Sequence, residues 1–197
     1  HVGNALEVKD AIDVLAGRTK GALLQVSLLL GSYMLVLAGA AKTPEAGEKL
    51  LTEALESGAG LRKLGEMIEA QGGDKRVCGD VTLLPQAPVV RKVLCGRAGC
   101  VAAMDTQKLG LAAQAMGAGR MSKADVIDPS VGFILPVRIG DTVRADTVLC
   151  ELHARSEADA DTAEQAIRSA IEFSDEKTAP APLCYAIVTA EGVRRMV

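Results

Sequence analysis

The sequence predicts a mixed fold, α/β to α+β, with helices in the first third of the chain and short strands after it. Apolar residues recur at helical spacing over residues 4–70, and they occur in short runs between turn residues from residue 89 onward. Residues 74–88 show neither period, and Pro85 and Pro88 block regular structure there. We therefore predict a helical segment at 1–73, a linker at 74–88 and a second folding unit at 89–197.

The opening stretch has the features of a short amphipathic helix. Asn4 can cap its first turn, and Gly17 can take the left-handed conformation that ends a helix. If this helix is one edge of a larger domain, its apolar stripe should be partly exposed or covered by a neighbouring molecule, whereas full burial would indicate an independent small domain. The stripe consists of Ala5, Val8, Ile12 and Leu15.

A second helix is predicted from about Gly21, and it is apolar on nearly all sides. The run from Ala22 to Ala41 is interrupted by polar residues and glycines such as Gln25, and no aromatic or basic belt flanks both of its ends. We therefore interpret it as a buried core helix and not as a membrane span. Other elements should cover it on most sides, some of them from a part of the protein outside this sequence.

Two further helices complete the first third. Thr43 is a suitable N-cap, and Pro44 suits the first helical position. This helix should end at Ser57-Gly58, and the next should run to Gly72-Gly73. In the second unit we predict strands at Val89–Cys95 and Gly99–Met104, a helix over Leu109–Met116 capped by Thr106, short strands between Val126 and Leu152, a helix over Asp159–Phe173, and a strand over Leu183–Thr189.

Composition excludes several functional classes. The net charge is -3, and the chain has two tyrosines, two phenylalanines and no tryptophan, so it shows neither the basic patch nor the stacking residues of a nucleic-acid-binding protein. The five cysteines are an odd number without CxxC spacing, which indicates reduced thiols in a cytoplasmic protein and argues against a zinc site. No signal peptide is visible, and we expect no membrane partner.

The stretch from Val137 to Ala154 contains the turn Gly140-Asp141 followed by an apolar strand. This pattern is similar to that of biotinyl and lipoyl carrier domains, which are flattened β-sandwiches. A carrier needs a lysine at an exposed hairpin tip soon after the strand, but Arg155, Ser156 and Glu157 follow here. We therefore expect a shared barrel-sandwich-like architecture without an attached cofactor.

Two other motifs invite a catalytic interpretation. The turn Gly117-Ala118-Gly119-Arg120 could cradle an anion, but it follows a helix, whereas phosphate loops precede one. A helix C-cap is the simpler interpretation. His153 has no nucleophile and carboxylate in a recognisable arrangement around it, so we interpret it as structural.

The segment Gly3–Ile12 resembles the GNALEV(K/R)EAI segment of the pyrimidine-nucleoside and thymidine phosphorylases, and the similarity continues over essentially the whole chain. The resemblance implies the carboxyl-terminal part of such an enzyme: a helical tail that completes a larger α/β domain, followed by an α/β hammerhead domain. The later matches are Leu84-Pro85-Gln86-Ala87, Leu109-Gly110, Gly117-Ala118-Gly119-Arg120, Ile127-Asp128, Gly140-Asp141-Thr142-Val143 and His153-Ala154.

The resemblance also implies a function. These enzymes are pentosyltransferases of nucleoside salvage: they convert a pyrimidine nucleoside and phosphate to the base and a pentose 1-phosphate, and they are homodimers. Their phosphate motif, K-x-S-T-G-G, and their base-gripping residues do not occur in this chain. We therefore assign no catalytic residue and expect the chain alone to be inactive, with the amino-terminal half of the enzyme as its partner.

Two residues and one loop receive roles from the resemblance alone. The residue at the position of Asp10, usually glutamate, binds a potassium ion in the bacterial enzymes, together with carbonyls that include the one matching His1. Arg120 is expected to contribute to closure of the cleft. The alternatives are a stand-alone sandwich binding or carrier module, and a structural remnant that complements a separate amino-terminal half; uridine or thymidine preference is not readable from this chain.

Overall fold

The computed structural model describes residues 1–196 and divides the chain into two compact units. One unit combines His1–Lys9 with Leu84–Ala181, and the other combines Asp10–Leu83 with the residues from Pro182 onward. The compact units do not have the same boundaries as the domains predicted at 1–73, 74–88 and 89–197. The predicted domain boundaries stay a prediction. The difference arises because the first residues pair with a distant strand and the last residues form a hairpin on the helical unit.

All four predicted helices are present: α2, α3 and α4 lie in the helical unit, and α1 begins in the first unit and ends in the helical one. Thr43 caps α3 as predicted: its hydroxyl accepts a hydrogen bond from Ala46 N at 3.2 Å, and Pro44 opens the helix. Short 3-10 turns at Lys75–Cys78 and Val81–Leu83 follow the last helix. The bounds are α1 Asn4–Leu15, α2 Ala22–Leu37, α3 Pro44–Glu56 and α4 Ala59–Ala70.

Helices α2 and α3 pack at close range. A Cβ on Gly47 of α3 would lie 2.8 Å from Ser32 O of α2, so only glycine permits this approach. Ser32 is buried, and its hydroxyl donates to Leu29 O at 2.7 Å. The opposite face of α2 is different, because Leu30, Met34 and Leu37 are exposed. The predicted core helix therefore exists, but the described residues cover only part of its surface.

The strands form three sheets. Their orders are β1-β4-β6-β2, β5-β3-β7 and β8-β9, and every pairing is antiparallel. Helices α5 and α6 belong to the same unit as the first two sheets. The bounds are β1 Val2–Gly3, β2 Val89–Leu94, β3 Gly99–Met104, α5 Thr106–Ala113, β4 Gly132–Ile134, β5 Thr142–Val143, β6 Val148–Ala154, α6 Glu157–Ser169, β7 Ile171–Ser174, β8 Ala186–Thr189 and β9 Gly192–Arg195.

Two sequence predictions about these elements were wrong. The predicted helix over 159–173 ends at Ser169, and Ile171–Ser174 is instead a strand that pairs with β3. Helical and strand spacing both place Ile171 inward, so the pattern alone did not separate them. The single predicted strand over 183–189 is the shorter strand β8, and it forms a hairpin with β9.

One core joins the two larger sheets to α5 and α6. Its largest side chains are completely enclosed, among them Phe133, Leu149, Leu152 and Ile167. Cys150 lies in the same core, and burial raises the pKa of its thiol to about 12. The thiol is therefore protonated and unreactive at neutral pH.

A glycine pair brings the first residues of the chain to this sheet. Gly3 and Gly132 face each other across β1 and β4 with φ of 139° and 147°. A Cβ on Gly132 would lie 2.2 Å from Val2 O, and one on Gly3 would lie 2.6 Å from Val131 O. Because neither backbone can accept a side chain there, both positions require glycine.

Charged side chains fasten α6 to the edge strand β2. Arg91 contacts Glu157 and lies 2.5 Å from Asp161 Oδ1 and 3.8 Å from Glu164 Oε2. Its hydrogen bonds to Glu157 and Asp161 raise the pKa of its guanidinium. Arg168 of α6 donates to Glu164 Oε1 at 2.9 Å and to Leu94 O at 2.7 Å. Single exposed ion pairs contribute little, but a network of this kind orients the helix on the sheet.

The turn before β4 is held by one carboxylate. Asp128 Oδ1 accepts hydrogen bonds from Ser130 N at 2.9 Å and Ser130 Oγ at 2.6 Å, and these bonds lower the pKa of Asp128. In the same turn, Pro129 O accepts from Ala5 N at 2.9 Å. The turn thus connects β4 to the start of α1.

We expect Ile167→Ala to lower the free energy of unfolding by about 2–5 kcal/mol, because it removes a fully buried side chain and leaves a cavity. Leu111→Ala, at an exposed position of α5, should change it by less than about 0.5 kcal/mol. Urea unfolding of both variants measures the difference. Equal effects would contradict the described core.

Asp128→Asn should reduce the loss of stability at acid pH. The pKa of Asp128 is lower in the folded state than in the unfolded chain, so its contribution is present above the unfolded value near 4 and is lost as pH falls through the folded value. The variant keeps an oxygen acceptor but no charge. Urea midpoints measured from pH 6 to pH 2 should fall less steeply for Asp128→Asn, and parallel curves would show that Asp128 carries no such linkage.

Candidate functional site

The three residues singled out from the sequence lie in different settings. His1 is exposed and directly precedes β1, and Asp10 is half-buried on α1. Arg120 is exposed in the loop after α5. The start of α1, which follows His1, and the loop that contains Arg120 come together in the first compact unit.

The contact is made by the side chain of Asn4. Its amide nitrogen donates to Ala118 O at 2.9 Å, across 114 residues of sequence. Glu7, one turn further along α1, accepts a hydrogen bond from Gly3 N at 3.1 Å. Asn4 thus ties α1 to the Gly117–Arg120 turn, a role that the sequence pattern did not show.

The Gly117–Arg120 turn ends a helix, as predicted. Asp105, and not Thr106, is the N-cap of α5: its carboxylate accepts from Lys108 N at 3.0 Å. After Ala113 the chain continues through a π-helical turn, Gln114–Ala118, within which Gly117 has a φ of 102°. The side-chain amide of Gln114 then donates to Arg120 O and closes the turn.

Between the start of α1 and this turn lies a shallow cavity of about 170 Å³. Its lining includes Asn4, Glu7, Gln114 and Gly119, and it contains no basic side chain. Since its one charged group is a carboxylate, the cavity is poorly suited to an anion. This geometry favours the helix-end interpretation of the glycine-rich turn over a phosphate cradle.

His153 is held in a local pair. Its Nε2 atom lies 3.1 Å from Glu151 Oε1 on the same strand, and its side chain is mostly buried. Among the hydrogen bonds of the described residues, the partner of the imidazole is this carboxylate and not a serine or cysteine, so the pair does not resemble a catalytic triad.

The predicted cation ligands are the Asp10 carboxylate and the His1 carbonyl. Within residues 1–196, no group of three or more His, Cys, Asp or Glu side chains is placed to hold a metal ion. A potassium ion prefers a shell of several hard oxygen ligands, and the Asp10 carboxylate with the His1 carbonyl would supply only part of one. The potassium site at these residues stays a prediction.

Two larger depressions lie on the helical unit. One, of about 410 Å³, is bordered by α4 and the following turn, and its Lys75 is paired with Glu69 at 2.8 Å. The other, of about 460 Å³, lies beside the β8–β9 hairpin, where Arg194 donates to the Tyr33 hydroxyl at 3.2 Å. The first depression is also lined by Cys78, and burial raises the pKa of its thiol, which disfavours the reactive thiolate.

None of the helices in the described part of the chain is long and apolar enough to cross a membrane.

Comparison with known proteins shows what this chain is similar to. Residues 100–174 match the family described as "Pyrimidine nucleoside phosphorylase C-terminal domain". The pyrimidine-nucleoside phosphorylases of Staphylococcus haemolyticus (strain JCSC1435) and Staphylococcus aureus (strain USA300) are each 38% identical to this chain over 188 residues. The match covers 95% of this chain and 43% of each relative.

The chain therefore spans less than half the length of the curated relatives it matches. Over nearly all of its residues the chain is thus similar to pyrimidine-nucleoside phosphorylases, and residues 100–174 match the carboxyl-terminal domain of that family.

Proposed function

We propose that this chain is part of a pyrimidine-nucleoside phosphorylase, in which inorganic phosphate attacks the anomeric carbon of a pyrimidine nucleoside and releases the base and a pentose 1-phosphate. The observation that carries the proposal is the 38% identity to such enzymes over 95% of the chain. The proposal includes both uridine and thymidine as substrates, because the residues that would select between them lie outside the matched part.

The chemistry of phosphorolysis indicates what this chain contributes. The reaction needs cationic and hydrogen-bonding groups around the phosphate and donors that stabilise charge on the leaving base. The K-x-S-T-G-G motif is absent from the sequence, and the cavity beside Asn4 is lined by no basic side chain. We propose that the chain is inactive alone and supports a cleft formed with the amino-terminal part of the enzyme, in a cytoplasmic homodimer.

The loop of Arg120 and the position of Asp10 have secondary roles in this proposal. Arg120 is exposed at a turn whose shape is held by Asn4 and Gln114, so its guanidinium is free to approach a substrate cleft as that cleft closes. Asp10 and the His1 carbonyl would be two ligands of a potassium ion whose other ligands come from the amino-terminal part. Both roles rest on the family resemblance.

A carrier module is the alternative, and the residues after β6 argue against it. Ser156 caps α6 by accepting from Asp159 N at 3.1 Å, so the chain enters a helix where a carrier needs an exposed hairpin lysine. A covalent biotin or lipoyl adduct in the intact mass of the purified chain would support the alternative.

The purified chain should show no phosphorolysis of uridine or thymidine, because the phosphate-holding groups are absent. Mixing it with the amino-terminal part of the S. aureus relative, up to the start of its match, should restore pentose 1-phosphate formation. The readout is release of uracil or thymine with and without phosphate. Activity of the chain alone, or none in the mixture, would contradict the corresponding half of the proposal.

In the reconstituted enzyme, Arg120→Ala should lower kcat/KM by about tenfold, on the order expected when a positioning contact at the cleft is lost. Arg144→Ala is the matched control, because Arg144 is an exposed arginine paired with Asp146 in a different turn. It should leave kcat/KM unchanged. Equal kinetics of the two variants would remove Arg120 from cleft closure.

A further inference from the structure

The loop that carries Arg120, residues 118–127, is closed at its base by a main-chain hydrogen bond. Asp128 N donates to Gly117 O at 2.9 Å, so the chain leaves the fold and returns to it at the same point. Inside the loop, the Asp125 carboxylate accepts from Ser122 N at 2.9 Å and from Ser122 Oγ at 2.7 Å. A compact loop of this kind moves as a unit about its two ends. The position of Arg120 therefore depends on what holds the base.

The side chain of Arg155 covers this base. A Cβ on Gly117 would lie 3.4 Å from Arg155 Nη1, 3.5 Å from Cζ and 3.8 Å from Nη2. The three distances are nearly equal, as they are when the flat face of a guanidinium covers a point. Gly117 has a φ of 102°, which favours glycine, and the missing side chain leaves room for the guanidinium.

Arg155 is itself fixed by elements outside the loop. It directly follows β6 and directly precedes the N-cap of α6. Its Nε atom lies 3.4 Å from Asp159 Oδ2 in the first turn of that helix. The pKa of Asp128 is lowered by its hydrogen bonds with Ser130 and, to a smaller extent, by the charge of Arg155. The guanidinium thus links the start of α6 to both ends of the loop.

A half-exposed arginine beside an aspartate is often only a surface ion pair, and such a pair contributes little. Two observations go beyond a pair here: the guanidinium covers the α-carbon of Gly117, and its charge acts on Asp128. Both contacts are at the base of the loop and not on the helix that carries Asp159. The geometry therefore gives the side chain a task at the loop.

We propose that Arg155 is a positioning residue: it holds the base of the loop at Gly117 and thereby sets where Arg120 meets the substrate cleft. Arg155 acts through the loop and makes no contact with the nucleoside. The kinetic part of this inference rests on the proposed function, since it takes the cleft and the reaction from a pyrimidine-nucleoside phosphorylase. The hold on the loop rests on the contacts of this chain alone.

The first test measures amide hydrogen exchange in the purified chain by NMR. Arg155→Ala should speed exchange of the Asp128 amide at least about fivefold, because that amide is released whenever the base opens. The Cys95 amide, which donates to Thr147 O at 2.8 Å, reports on the sheet and should change less than about twofold. Arg144→Ala is the matched control and should change neither rate.

A second variant keeps this test decisive if Arg155→Ala disturbs the whole fold and the Cys95 amide also exchanges faster. Asp159→Asn removes the helix partner of Arg155 and leaves the arginine in place. It should speed exchange of the Asp128 amide at least about twofold while the Cys95 amide is unchanged. An unchanged Asp128 rate in this variant overturns the inference.

The second test is a double-mutant cycle in the enzyme reconstituted with the amino-terminal part of the S. aureus relative. Arg155→Ala should lower kcat/KM about fivefold. In an Arg120→Ala background it should lower kcat/KM less than about twofold, because a residue that acts through Arg120 then has nothing left to position. Arg155→Lys keeps a cation beside Asp159 and should stay within about twofold of the unaltered enzyme.

The outcomes separate this inference from the proposed function. Unchanged exchange of the Asp128 amide overturns the hold on the loop, even where the reconstituted enzyme is active. An equal loss of kcat/KM with and without Arg120 overturns the positioning role, and so does an Arg155→Lys enzyme as slow as Arg155→Ala. Faster Asp128 exchange in a protein whose reconstituted form shows no phosphorolysis supports the hold on the loop and overturns the proposed function together with the kinetic part.

Discussion

The backbone contact between Gly3 and Gly132 is the constraint on which the first compact unit depends. It pairs β1 with β4 across most of the chain, and it sets the point from which α1 starts. A Cβ on either residue would overlap the opposite main chain. Because β1 is only two residues long, its side chains could not compensate if the Gly3 and Gly132 backbones were forced apart. The segment of the phosphorylase resemblance that begins at Gly3 therefore has a steric reason to begin with glycine.

That pairing also explains how distant segments meet. Once β1 lies beside β4, Asn4 reaches the carbonyl of Ala118 and Ala5 reaches that of Pro129. The loop of Arg120 is thus held by the start of α1. In an enzyme whose cleft closes over its substrate, this would give the loop a rigid support from a separate part of the sequence. The polar side chains beside the small cavity, Asn4, Glu7 and Gln114, form hydrogen bonds to main-chain atoms of the same chain.

The two units differ in how completely they cover their apolar surfaces. The sheet unit encloses residues such as Phe133, Leu149 and Ile167 fully. The helical unit instead leaves Leu30 and Leu37 of α2 exposed, although α2 is the most apolar helix of the chain. This contrast agrees with a chain that matches only the carboxyl-terminal part of its relatives.

The sequence by itself determined the order of the helices, most of the strands and the family. It did so because helix caps, such as Thr43 with Pro44, and apolar periods act over a few residues. Only the tertiary structure decided that Ile171 lies in a strand, that Asn4 contacts Ala118, and that α2 keeps one bare face. These features depend on which segments meet across long stretches of chain. Periodicity cannot show that, because an inward-facing side chain looks the same whichever element it packs against.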